Sequence, residues 1–194
     1  MPQNVEIKAR VRDLAALENA AAQVADGGDG GDGQDGGGAG RPAGMGEVLE
    51  QHDVFFASPR GRLKLRMVND RAQLIYYERA DEAGPKTSTF SIAPVGDFAA
   101  MRETLGLALE TLGEVKKRRR LYLVGQTRVH VDSVEGLGDF MELEVCMRDG
   151  QSVDEAQGIA RQLMVTLGIE EADLITGAYT DMLKAKAEQA QKST

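Results

Sequence analysis

The chain has 194 residues, 42% of them hydrophobic, with one cysteine and a net charge of −8. That length suits one domain with a sizeable core, and the lack of any apolar run of roughly 18 residues excludes a membrane-spanning helix. Cys146 alone excludes an intrachain disulfide, and with only His52 and His130 beside it a zinc site of the usual kind is excluded too.

Met1-Pro2-Gln3-Asn4 leads straight into a strand, which leaves no room for a signal peptide and sets a cytoplasmic expectation. Residues 5–12 read as that strand. Leu14, Leu17, Ala20, Ala21 and Val24 then recur at helical spacing behind Asp13 as N-cap. Residues 26–46 read as a flexible Gly/Asp-rich insertion. Its core, 26–40, holds nine Gly and four Asp and nothing larger than Gln34, so it has no apolar area to bury. The Asp residues recur every third position, but a calcium-binding repeat needs apolar residues to stack its turns. Residues 48–56 resume as strand, and Ser58-Pro59-Arg60-Gly61 is a turn. Residues 62–68 and 72–79 form a hairpin around Asn69-Asp70-Arg71. A loop at 81–85 precedes a strand at 86–93, and Asp97 opens a helix through Met101, Leu105, Leu107 and Leu109. Residues 115–124 and 127–134 form a second hairpin around Gly125-Gln126, and 140–148 is a further strand. Ser152-Val153-Asp154-Glu155 has the form of a capping box for a helix through Ile159, Leu163 and Leu167, stopped by Gly168. Residues 170–183 read as helical, and the polar tail 184–194 is expected to fray. The sum is an α+β chain, one domain over 1–183, built on a closed or nearly closed eight-stranded antiparallel barrel.

Four strands carry charge at period 2. Asn4-Val5-Glu6-Ile7-Lys8-Ala9-Arg10 and Met141-Glu142-Leu143-Glu144-Val145 bring carboxylates, while Leu63-Lys64-Leu65-Arg66 and Val115-Lys116-Lys117-Arg118-Arg119 bring cations. With the charged faces turned inward they line a cavity whose bases grip a polyanion and whose acids hold a cation. Arg118 is then expected outside, among exposed residues. Residues 60–128 hold 14 of the 23 Lys and Arg against eight Asp and Glu, giving that segment +6 and the remainder −14. A basic middle between acidic flanks suits a small internal anion better than a nucleic acid. Any metal should be hard and oxygen-bound, which points to Mg²⁺ or Mn²⁺.

These motifs, together with Val131-Asp132-Ser133-Val134-Glu135-Gly136-Leu137-Gly138-Asp139-Phe140-Met141-Glu142-Leu143-Glu144, resemble the CYTH superfamily of triphosphate tunnel metalloenzymes. The set is most similar to the class IV adenylyl cyclase branch, rather than the thiamine triphosphatase branch. The family's E-x-E-x-K motif reads here Asn4-Val5-Glu6-Ile7-Lys8, so its first carboxylate is replaced by an amide.

The resemblance implies an eight-stranded antiparallel tunnel with flanking helices. It also implies metal-binding roles for Glu6, Glu142 and Glu144, and phosphate contacts for Lys64, Arg66, Lys117 and Arg119, joined by Arg79 and Lys86. Lys8 matches the motif lysine, a phosphate contact or an activator of the nucleophile. Asp132 matches a carboxylate that helps hold metal or orients the attacking group. The implied partner is a small triphosphate (ATP, tripolyphosphate or thiamine triphosphate), with Mg²⁺ or Mn²⁺ as cofactor and a homodimer as the assembly to test. No nucleic acid or membrane partner is expected.

Three functions fit: a metal-dependent triphosphate hydrolase, an adenylyl cyclase, or a non-catalytic polyphosphate- or nucleotide-binding module. Among the remaining residues, His52 and His130 read as strand-surface or supporting groups and Cys146 as core. Tyr76, Tyr77, Tyr122 and Tyr179 read as packing residues.

Overall fold

A computed structural model describes residues 3–26, 43–79 and 84–192. The Gly/Asp-rich tract lies almost wholly outside the described residues, and so does most of the 81–85 loop. Among them, no helix is long and apolar enough to cross a membrane.

The strands are β1 (Gln3–Arg10), β2 (Glu47–Phe56), β3 (Arg62–Val68), β4 (Arg71–Arg79), β5 (Lys86–Val95), β6 (Thr111–Val124), β7 (Thr127–Val134) and β8 (Gly138–Cys146). They form one closed antiparallel barrel in the order β1-β5-β4-β3-β2-β6-β7-β8, with β8 pairing back onto β1. The helices are α1 (Leu14–Val24), α2 (Phe98–Ala108), α3 (Val153–Thr166) and α4 (Tyr179–Lys192). Asp13 and Asp97 cap α1 and α2 by accepting from Ala16 and Ala100 N–H, and Ser152 with Glu155 closes the capping box of α3. Asn69 turns the β3–β4 hairpin at φ 49°, a left-handed conformation that Asn tolerates.

Period 2 sends alternate residues to opposite sides of the barrel wall; the outer side is buried where helices pack on it. Outside, Val5, Ile7, Ala9, Val129, Val131, Met141, Leu143 and Val145 pack under α1 and α3. Val54, Phe56 and Leu65 lie under the Phe98, Met101 and Leu105 face of α2. Inside, Leu49, Val68 and Leu121 form one apolar group, while Phe55, Val115, Val134 and Phe140 form another with Tyr179. The charged residues lie between these two groups.

Three expectations are corrected. Residues 170–183 are not one helix: Glu171–Asp173 is a single 3₁₀ turn, Leu174 bridges to Ala9, and Ile175 N–H donates to Lys8 O at 3.0 Å. That edge contact with β1 draws the chain out into an extended segment before α4 begins. The tail does not fray after residue 184, because α4 runs on to Lys192, as its Ala, Lys, Glu and Gln content favours. In addition, β6 starts at Thr111 rather than at residue 115, its first residues pairing with β2 across a register shift at Phe55/Phe56.

Candidate active site

Cross-strand register decides which charged residues meet. Residues paired directly across a ladder share a face of the sheet. Lys8 pairs with Glu142, Glu142 with His130, and Glu6 with both Glu144 and Lys86. Asp53 pairs with Arg66, and Arg119 with Asp132. The outcome is one cavity of about 100 Å³ lined by Asn4, Glu6, Lys8, Asp53, Lys64, Arg66, Arg79, Lys117, Arg119, Glu142 and Glu144, with Tyr77 and Tyr179. Lys86 is buried in a small adjoining pocket with Glu6, Lys8, Arg79, Glu142 and Glu144. Arg118 points outward and is 61% exposed beside Glu50, as alternation requires.

Two carboxylates organise the cations. Asp53 accepts from Arg66 Nε at 2.8 Å and Nη2 at 2.9 Å, and from Lys64 Nζ at 3.0 Å. Asp132 is wholly buried and accepts from Arg119 Nε at 2.6 Å and Nη2 at 2.7 Å, and from Lys117 Nζ at 2.6 Å. Tyr179 Oη donates to the same Asp132 oxygen at 3.3 Å. Asp132 therefore sits behind Lys117 and Arg119 rather than on the cavity wall. Burial pushes both carboxyls up, but their guanidinium and ammonium partners outweigh it. Asp53 is held below the usual carboxylate range, and Asp132 is brought down to about 2.

The remaining carboxylates line the wall built by β1 and β8. Glu142 accepts Lys8 at 3.1 Å on one oxygen and Arg119 at 2.6 Å on the other, and these cations with Lys117 hold it well below its ordinary value despite burial. Glu6 pairs with Arg79 at 2.7 Å, and Glu144 with Arg128 at 3.5 Å. Lys8 lies 3.9 Å from the centre of the Tyr179 ring. Burial, with Arg79 and Lys117 nearby, lowers Lys8 to about 8 against the pull of Glu142. Burial and Arg66 lower Lys64 to about 8 as well. The segment before α4 closes over this wall, with Gly177 O accepting from both Lys8 and Arg79 at 3.4 Å.

Oxygen-rich donors suit Mg²⁺ or Mn²⁺. Among the described residues, Glu142 and Glu144 converge with His130, one donor atom from each lying within 4.8 Å of the others. Glu6 is in register with Glu144 but is engaged by Arg79. Asn4, in the place of the first motif carboxylate, is buried on the same wall.

Asp53, Arg128, His130 and Tyr179 of this region lay outside the sequence-derived set, as did Tyr77. The first three share the inward parity of the predicted site residues, a signal present in the sequence but readable only with register. Tyr179 comes from beyond the barrel and carried no such signal.

A CYTH domain model matches residues 43–179 of the chain. The adenylate cyclase CyaB of Aeromonas hydrophila is 27% identical over 145 residues, covering 71% of this chain and 74% of that protein. Among solved structures, the PH1012 protein from Pyrococcus horikoshii superposes with a TM-score of 0.73 at 23% identity, covering 92% of this chain and 98% of the other. A conserved hypothetical protein from Pyrococcus furiosus gives 0.74 at 24% identity with the same coverage. At those identities the two structures show a common fold.

Proposed function

Because the chain belongs to the CYTH domain family, we propose that it is a divalent-metal-dependent phosphohydrolase acting on a triphosphate, inorganic or organic, bound inside the barrel. The observation that carries this reading is the buried inner wall, on which Lys64, Arg66, Lys117 and Arg119 are fixed by Asp53 and Asp132.

A triphosphate is strongly polyanionic, and Arg donors bind phosphate oxygens in pairs while Lys supplies a compact charge. Side chains already locked by buried carboxylates need little reorganisation when those oxygens arrive. Pre-orientation of this kind is the main catalytic resource in phosphoryl transfer. In this reading Asp132 acts as a positioning residue for Lys117 and Arg119. Arg79 and Lys86 extend the cationic wall. Glu142 and Glu144, joined by Glu6, hold the metal. A bound Mg²⁺ or Mn²⁺ supplies charge that offsets the negative charge shifting as a phosphoanhydride bond breaks. Lys8, brought to about 8 by burial, exchanges its proton near neutral pH and stands beside Glu142. It is the residue assigned here to accept a proton from the attacking water.

A second reading, cyclisation of ATP by its own ribose hydroxyl, is favoured by the similarity to the Aeromonas hydrophila cyclase. Both reactions use the same cationic wall and differ in which phosphorus meets the nucleophile. The deciding experiment incubates the protein with ATP, tripolyphosphate or thiamine triphosphate, each with Mg²⁺ or Mn²⁺, and resolves the products by phosphorus NMR. Orthophosphate release supports hydrolysis, and cyclic AMP with diphosphate supports cyclisation. Binding without turnover assigns a non-catalytic module and overturns both.

A further inference from the structure

We infer that His130 is the nitrogen ligand of the divalent-cation site and tilts it toward Mn²⁺ and the later transition metals over Mg²⁺. This rests on the reading that Glu142 and Glu144 hold the cation. His130 lies on the inner face of β7, fully buried and in register with Glu142. Its Nδ1 is 3.8 Å from Glu144 Oε1 and 4.0 Å from Glu142 Oε2. Donor atoms sharing one small cation at about 2.1 Å are themselves roughly 3–4 Å apart, so the three side chains need only a slight contraction to meet on an ion.

The surrounding charges set a condition on this assignment: Arg119 holds Oε2 of Glu142, the oxygen nearest the imidazole, so a bound cation must displace or share that contact. Lys8 and Arg119 engage Glu142 at 3.1 Å and 2.6 Å, and Lys117 approaches it at 3.9 Å. Arg128 engages Oε2 of Glu144, the oxygen other than the one nearest the imidazole. On the same wall the uncharged Asn4 stands in place of a carboxylate, so the site has one hard anionic ligand fewer than the family motif supplies. An oxygen-poorer site with an imidazole is less suited to Mg²⁺, which keeps water and demands oxygen, and better suited to Mn²⁺ and Co²⁺. The competing structural role is that the ring only separates two neighbouring carboxylates.

The test is titration of the full chain with Mn²⁺, followed by pulsed electron paramagnetic resonance of the bound ion with histidine-selective isotope labelling. His52 cannot supply the signal, because it sits on the outer face against Glu114 and Phe98. The expected spectrum shows one directly coordinated imidazole nitrogen. His130→Leu is expected to lose it and to bind Mn²⁺ roughly tenfold or more weakly, while Mg²⁺ affinity changes far less. Bound Mn²⁺ that is lost in Glu144→Gln yet shows no nitrogen coupling would overturn the role of His130 and leave the carboxylate site standing. If no Mn²⁺ binds at all, the carboxylate site fails and this inference fails with it. The wild-type spectrum decides the matter even if His130→Leu does not fold.

Discussion

Replacing Asp132 by Asn removes one buried negative charge from between two buried cations. Asp132 is wholly buried and accepts three charge-assisted bonds of 2.6–2.7 Å from Arg119 and Lys117. Breaking a buried pair from one side costs about 3–5 kcal/mol, because the partner charge stays buried without compensation. For a domain of this size each kcal/mol moves the melting temperature by roughly 2–4 °C, so Asp132→Asn should lower it by about 6–20 °C near pH 7. The double variant Asp132→Asn/Arg119→Met should recover part of that loss, since one stranded cation leaves with its carboxylate. The pH dependence gives a second handle. Burial raises Asp132, but the Arg119 and Lys117 charges outweigh it and bring the carboxyl down to about 2, below the ordinary carboxylate range. A carboxyl lowered on folding stabilises the native state above its unfolded pKa, and that contribution, about 2 kcal/mol here, fades as pH falls from about 4 toward 2. The stability gap between wild type and Asp132→Asn should therefore narrow over that interval. Circular dichroism melts of the three proteins measure all of this. A melting temperature for Asp132→Asn within about 2 °C of wild type, or a double variant less stable than the single one, would refute the assignment of Asp132 as the counter-charge.

Three further outcomes are expected. Glu144→Gln should weaken Mn²⁺ binding by roughly tenfold or more with only a small change in melting temperature; calorimetric titration measures it, and unchanged affinity removes Glu144 from the metal shell. Asn4→Glu should restore a hard anionic ligand to the cavity wall and tighten Mg²⁺ or Mn²⁺ binding, whereas equal affinity in variant and wild type places Asn4 outside that shell. Tripolyphosphate binding should take up protons above about pH 8, because Lys64 titrates near 8 when free and is drawn back up by the bound anion; uptake should vanish well below pH 7, where it is already charged. Calorimetry in buffers of different ionisation enthalpy reads that uptake, and its absence above about pH 8 would place Lys64 away from phosphate.

Much of the barrel was legible because each wall residue obeys period 2 on a strand bounded by clear turn signals. Residues 62–68 and 127–134 were read with the bounds that the structure gives, and the inward set from Glu6 to Glu144 follows from parity alone. Three things were not legible. The first is register between strands distant in sequence, which brings Glu6 to Lys86 and Lys8 to Glu142; nothing within either segment announces its partner. The second is the extended stretch at Leu174 and Ile175, where pairing with β1 overrides a helical pattern. The third is Tyr179, whose place under Lys8 depends on how that stretch returns across the barrel. Asp132 was identified by motif, but its place behind Lys117 and Arg119 emerges only from their joint geometry.

The central claim is that a triphosphate and a divalent cation share the same interior cavity, the phosphates against the cations of β3 and β6 and the metal at Glu142 and Glu144. Diffraction from crystals grown with tripolyphosphate and Mn²⁺ tests it most directly, because Mn²⁺ is located by its anomalous signal. The expected result is phosphate density in contact with Arg66 and Arg119, with the manganese peak at Glu142 and Glu144. Tripolyphosphate bound only outside the barrel, or a manganese peak away from those two glutamates, would contradict it.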